Sequence, residues 1–112
     1  MINTTDLQEF EVSLPGEWRR QDDGATYSFT ADKMELRDER LFRQLYISHP
    51  GEPVPEYFQY ALAIMEDYCG LLIGDEEFII RELDKKEDGS VYMEWEDRLG
   101  KRIGFERPAI RV

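Results

Sequence analysis

The sequence predicts an α+β domain: a mostly antiparallel sheet of about six strands with one long amphipathic helix packed on it, in the order βββ(β)-α-βββ. Three observations predict it. Several short runs alternate apolar with polar residues, the period of a half-buried strand. The signals between them, Asp23-Gly24 and Leu99-Gly100, are hairpin turns, which join antiparallel neighbours. Residues 55–69 instead place apolar residues at helical spacing. At 112 residues, with 41% hydrophobic and 12% aromatic content, the chain is one domain, 1–112, able to fill a core despite 35% charged residues.

Taken in order, Phe10, Val12 and Leu14 alternate with polar neighbours until Pro15-Gly16 stops the run. A strand over Trp18–Gln21 and another over Ala25–Thr30 flank Asp23-Gly24. A two-residue loop there sets Trp18 opposite Phe29 and Arg20 opposite Tyr27. Weaker alternation at Met34–Leu36 and stronger alternation at Phe42–Ser48 follow. His49-Pro50-Gly51-Glu52-Pro53-Val54-Pro55 is a connector whose three prolines oppose both helix and ladder. Pro55 suits the first turn of a helix. In that helix Phe58, Ala61, Leu62, Met65 and Cys69 form one stripe, with Glu56, Gln59, Ala63, Glu66 and Asp67 on the other side and Gly70 ending it. Three strands complete the chain. Phe78–Leu83 is apolar-rich with ambiguous facing. Val91, Met93 and Trp95 alternate with Tyr92, Glu94 and Glu96. A three-residue loop, Arg98-Leu99-Gly100, then sets Trp95 against Ile103, Met93 against Phe105, Glu96 against Arg102 and Asp97 against Lys101, with Gly100 at the position needing positive φ.

Charge is unevenly spread. Lys and Arg total 14 against 25 Asp and Glu, a formal charge of -11, which argues against nucleic acid or an anionic membrane as partner. No Lys or Arg lies between Arg43 and Arg81, a window holding Glu52, Glu56, Glu66, Asp67, Asp75, Glu76 and Glu77. Arg98 to Arg111 is locally basic, with five cationic residues against Glu106. The acidic helix side and Asp75-Glu76-Glu77 therefore form a candidate docking surface for a basic protein. Tyr60, expected on the outward face beside Glu56 and Asp67, is its aromatic anchor. The partner-binding set is thus Glu56, Tyr60, Glu66, Asp67, Asp75, Glu76 and Glu77.

Signals for chemistry are sparse. The single histidine, His49, and the single cysteine, Cys69, lack the companions of a metal site or a CxxC pair, and one cysteine forms no internal disulfide. His49 is expected to be a strand-end residue and Cys69 a packed thiol. Glu94 and Glu96 share a strand face, but Arg102 opposite Glu96 holds that carboxylate ionised rather than raising its pKa. No GxSxG, Walker or GxGxxG motif occurs. No cofactor and no metal are expected. The apolar run Tyr60–Met65 is too short for a membrane span, and the first residues lack a signal peptide's basic and apolar regions. The expected location is the cytoplasm.

The run Phe10-x-Val12-x-Leu14-Pro15-x-x-Trp18, followed by Tyr27-x-Phe29, resembles the opening of PsbP-like domains. That fold family includes a photosystem subunit, a nuclear-import cofactor and bacterial chaperones for type VI secretion effectors. The resemblance implies a curved antiparallel sheet with packing helices and a role in binding proteins. Its positions are structural, so it implies no site residues.

The functional expectation is a non-enzymatic bacterial protein-binding module, such as an immunity protein or a secretion adaptor or chaperone, that meets a basic partner through an acidic helix face. An alternative is a small-molecule-binding or hydrolytic domain on the uncovered sheet face, lined by Trp18, Tyr27 and Trp95 with Glu94 and Arg102 converging. Two further alternatives are a nucleic-acid mimic and a homodimer that seats the acidic helix of one copy on the basic hairpin of the other.

Overall fold

Period-two alternation runs through the strands of the computed structural model, which describes residues 14–30, 35–37, 40–64 and 69–108. Nine strands form among the described residues: β1 (Gly16–Arg20), β2 (Thr26–Phe29), β3 (Glu35–Arg37), β4 (Arg40–Ser48), β5 (Glu56–Ile64), β6 (Cys69–Ile73), β7 (Glu76–Lys85), β8 (Val91–Glu96) and β9 (Arg102–Arg107). They pair antiparallel in the order β2-β1-β9-β8-β7-β6-β5-β4-β3, and a further β2–β4 pairing closes eight of them into a barrel. The strand β3 lies outside the closure, on the edge of β4. Closure removes the sheet edges that would otherwise invite pairing with other chains.

The expected α+β class is therefore corrected to all-β. No helix occurs among the described residues, and of the segment read as a helix from 55 to 69 the described part is β5 and the first residue of β6, with Met65 and residues 66–68 outside the described residues. Two periods fit that segment. The stripe Phe58, Ala61, Leu62, Met65, Cys69 recurs at 3.6 residues, but Phe58, Tyr60 and Leu62 recur at 2, and a short apolar run does not separate the two. Pairing partners decide. Tyr60 lies across from Arg43 on one side and Ile73 on the other, and Leu62 from Leu71. Aromatic Tyr57, Phe58 and Tyr60 also suit a pleated surface. The strand β6, with Leu71 and Ile73 buried, has no counterpart in the sequence reading. Residues 10–13, read as part of a first strand, lie outside the described residues.

The core is the barrel interior. Trp18, Tyr27, Phe29, Leu45, Ile47, Tyr60, Cys69, Leu71, Ile73, Ile80, Met93, Trp95, Ile103 and Phe105 are buried in one cluster, as an eight-stranded barrel just wide enough for side chains to fill requires. Rings dominate it: Trp95 lies 4.2 Å from Phe105 and 5.4 Å from Phe78 between centroids, and Tyr27 meets Phe105 edge-on at 4.9 Å. Cys69 is buried, as expected of a packed thiol. The ambiguous facing of Phe78–Leu83 has a structural cause. Ile80 pairs with Trp95 and Glu82 with Glu94, so Arg81 is an extra residue in a bulge. The bulge resets the alternation so that Phe78, Ile80 and Leu83 all reach the core while the Arg81 side chain stays outside.

One hairpin has the expected register. Trp95 opposes Ile103, Met93 opposes Phe105 and Glu96 opposes Arg102, with Gly100 at φ 82°. The other is corrected by two residues: Trp18 opposes Tyr27, not Phe29. Its loop takes four residues, Gln21 to Gly24, because Arg20 N donates to Ala25 O at 2.8 Å and the Asp23 carboxylate accepts from Ala25 N at 2.9 Å. A shift of two preserves facing, so both rings still point inward.

Candidate functional site at one end of the barrel

Alternation that fills the interior also decides what stands at its ends. Arg20 shares the parity of Trp18, His49 that of Leu45 and Ile47, Glu56 that of Phe58 and Tyr60, and Glu76 that of Phe78. These are inward-facing positions one step beyond the core, and the up-and-down order brings them to the same end. There they rim a cavity of about 250 Å³. Tyr27, Ile47, Phe58, Ile73, Phe78, Trp95 and Ile103 supply its apolar lining. Arg20, His49, Glu56, Asp75 and Glu76 supply its charged and titratable lining.

Some of these groups are already engaged. The Arg20 guanidinium forks onto Asp22, with Nε 2.5 Å from Oδ1 and Nη2 2.9 Å from Oδ2, and donates from Nη1 to the Tyr27 hydroxyl at 3.2 Å. This contact with Asp22 raises the Arg20 pKa and lowers that of Asp22. Burial pushes the Tyr27 hydroxyl up, against the opposing pull of Arg20. His49 Nε2 lies 3.1 Å from Glu56 Oε1. Asp75, Glu76 and Glu77 make no ion pair among the described residues.

A shallow groove of about 430 Å³ adjoins the mouth and shares Asp75, Glu76 and Phe78 with it. Its other lining residues are Glu77, Asp97, Arg98 and Leu99. A third cleft, about 340 Å³, lies between β1 and the β8–β9 hairpin; it mixes Glu17 and Glu106 with Arg19, Lys86 and Arg107. With charges of both signs already side by side, that cleft has no preference for either.

Trp95 carries the most informative atom. It is 1% exposed, and its Nε1 is the one buried side-chain polar atom without a hydrogen-bond partner among the described residues. Of the described cavities, the mouth is the one Trp95 lines. A buried donor left unpaired costs about 1–3 kcal/mol.

The residues singled out from the sequence divide three ways. Glu56, Asp75 and Glu76 come together at the mouth, and Glu77 lies in the adjoining groove. Tyr60, expected outside as an anchor, is 1% exposed and donates its hydroxyl to Thr30 O at 2.6 Å, so it is corrected to a core residue. Glu66 and Asp67 lie outside the described residues. The acidic helix face itself does not exist where it was expected, because Glu56 stands on a strand. Arg20, Phe58, Phe78 and Trp95 were not anticipated at this site, and His49 was expected only as a strand-end residue; their parity was legible, but only ring closure turns parity into a shared mouth.

The alternative constellation is not assembled. Trp18, Tyr27 and Trp95 are packed inside, whereas Glu94 and Arg102 pair on the outer wall at 3.0 Å. Glu96 is held below the usual carboxylate range, foremost by Arg81 at 2.5 Å, with Arg102 adding to it. The expectation of an ionised Glu96 stands, with a second arginine as the main cause. No cluster of three or more His, Cys, Asp or Glu among the described residues could hold a metal ion, so the mouth carboxylates do not converge on one point. Comparison with protein-family models, with curated proteins and with solved structures finds no match to this chain.

Proposed function

We propose that this protein is a non-enzymatic binding module that engages a basic protein partner through the acidic end of its barrel, in the manner of an immunity protein or a secretion adaptor or chaperone. The observation that carries this reading is the run Asp75-Glu76-Glu77, unpaired among the described residues and adjoining Glu56 at the mouth. Like charges held together on one turn repel one another, and a cationic surface relieves that repulsion while speeding encounter. Among the described residues the basic C-terminal hairpin forms no ion pair with them. Arg102 is committed to Glu94 and Glu96, and Lys101 lies 3.9 Å from Asp22. Arg98 lines the groove but forms no ion pair among the described residues.

The test is reversal of the run. A partner recovered from the native host at low salt is purified and titrated against the wild type and against the variant Asp75→Lys, Glu76→Lys, Glu77→Lys. The expected result is an association rate lowered about tenfold or more and a flattened salt dependence. Equal rates and equal salt slopes for the two proteins overturn the reading.

A further inference from the structure

We infer that β3 is an association edge: two copies of the chain join by antiparallel pairing of β3 with β3 across a two-fold axis at Leu36. This stands apart from the docking reading. The strand β4 runs from Arg40, beside β3, to Ser48, next to His49 at the mouth. The association edge and the acidic mouth therefore lie at opposite ends of that strand, and a dimer leaves the mouth open.

Three observations lead there. The first is the edge. Each of the other eight strands pairs on both sides, whereas β3 pairs with β4 alone among the described residues. The ladder between β4 and β5 begins at Arg43, so β3 and residues 40–42 form a two-stranded arm beyond the closed part. Such an arm is marginal in water, and its free edge is a template for another strand. The second is an apolar pair. Leu36 lies opposite Leu41, and the two are 72% and 41% exposed. Directly opposed residues share a face of the sheet. Pairing at Leu36 therefore joins the Leu36 and Leu41 of both copies in one row across four strands, and takes from water apolar surface that each copy alone leaves in it. The third is charge, and it selects the occupant. Backbone pairing accepts any extended segment, so residue types decide which one fits. The strand reads Glu35-Leu36-Arg37. Antiparallel pairing about Leu36 sets position 35 of each copy opposite position 37 of the other, an acid opposite a base twice over. Parallel pairing would set like charges opposite one another, which is destabilising. The flanking sequence has the same symmetry: about Leu36, Lys33 mirrors Glu39 and Asp32 mirrors Arg40. A segment whose charges invert on reversal is complementary to itself, as an interface between two identical patches requires.

The test is analytical ultracentrifugation of the full chain over a range of concentrations. Salt of about 0.15 M, with a Debye length of about 8 Å, screens the long-range repulsion between two acidic copies more than the attraction of opposed neighbours. The wild type is expected to dimerise with a dissociation constant on the order of 0.1 mM, weak as befits a small interface. Glu35→Arg sets arginine opposite arginine at both pairs, and Arg37→Glu sets glutamate opposite glutamate. Each variant alone is expected to weaken association about tenfold or more. An equimolar mixture of the two restores acid opposite base at both pairs, and is expected to form a heterodimer within about threefold of the wild-type affinity. Leu36→Asp, at an exposed position, sets two carboxylates on the axis and is expected to leave monomer only. Unfolding midpoints equal to that of the wild type show that the variants fold. A wild type that stays monomeric at about 1 mM overturns the inference, and that result depends on no variant. So does a dimer that persists in Leu36→Asp, or a mixture of the two charge variants that associates no better than either alone.

Discussion

The two tryptophans of this barrel occupy opposite situations. Trp18 donates its indole N–H to Leu14 O, and the Arg107 guanidinium lies over its ring at 4.1 Å. Arg107 in turn donates to the carbonyls of Leu14, Pro15 and Glu17. At the same end, Tyr60 donates to Thr30 O. Side-chain donors there are matched to backbone acceptors, which fixes where the chain enters the barrel. At the other end, Trp95 keeps a buried donor without a partner, and the carboxylates of Asp75 and Glu76, which line the same cavity, form no ion pair among the described residues. One end pairs its side-chain donors; the other keeps a buried donor and two carboxylates that the described residues do not pair. A buried polar group that a fold leaves unsatisfied marks where stability has been given up.

The comparison breaks most visibly at Arg107. Burial lowers its pKa, yet it stays charged and is worth keeping because a ring and three carbonyls receive it. Arg107→Ala is expected to lose about 2–3 kcal/mol, the scale of hydrogen bonds from a charged group with a cation–π contact added. Arg107→Lys recovers little, since an ammonium neither stacks nor forks. Glu76→Gln at the open end is expected to stay within about 0.5 kcal/mol. Urea unfolding checks all three, and equal midpoints for Arg107→Ala and Glu76→Gln would erase the distinction between the ends.

A smaller effect sharpens the same contrast. Tyr60→Phe removes one hydrogen bond to Thr30 O and leaves the ring in place, for an expected loss of about 1 kcal/mol. The same substitution also discriminates strand from helix. On a surface helix a tyrosine hydroxyl is dispensable, whereas facing into β2 from β5 it is not. An unchanged unfolding midpoint would return Tyr60 to the outside.

That residue shows why part of the fold was legible and part was not. The β8–β9 hairpin was readable to the residue because two independent constraints agreed: Trp95 and Met93 needed apolar partners, and Gly100 needed positive φ. The β1–β2 facing was readable but its register was not, since Asp-Gly fits a two-residue loop as well as the end of the four-residue loop that forms. At β5, local spacing favoured a helix stripe, while the pairings that make it a strand lie with Arg43 and Ile73, distant in sequence. No local pattern encodes barrel closure. The mouth depends on closure, so Asp75, Glu76 and Glu56 could be named as acidic, but not as neighbours of Trp95. Arg81, the bulged residue, is likewise invisible without its partner strand.

The smallest expected effect concerns carboxylates that do have cations. Asp22 is held down chiefly by Arg20, and Glu96 chiefly by Arg81. A carboxylate whose folded pKa lies below its unfolded value contributes stability above the unfolded pKa, and that contribution fades as pH falls through the folded one. Unfolding free energy should therefore be level from neutral pH down to about pH 5 and decline below about pH 4, where free Asp and Glu take up protons. Arg81→Ala should make that acid limb shallower, because Glu96 then titrates nearer its unfolded value in both states. The change is small, since exposed pairs contribute little and salt screens them. An acid limb unchanged in Arg81→Ala would mean that Arg81 does not hold the Glu96 carboxylate down in the folded protein.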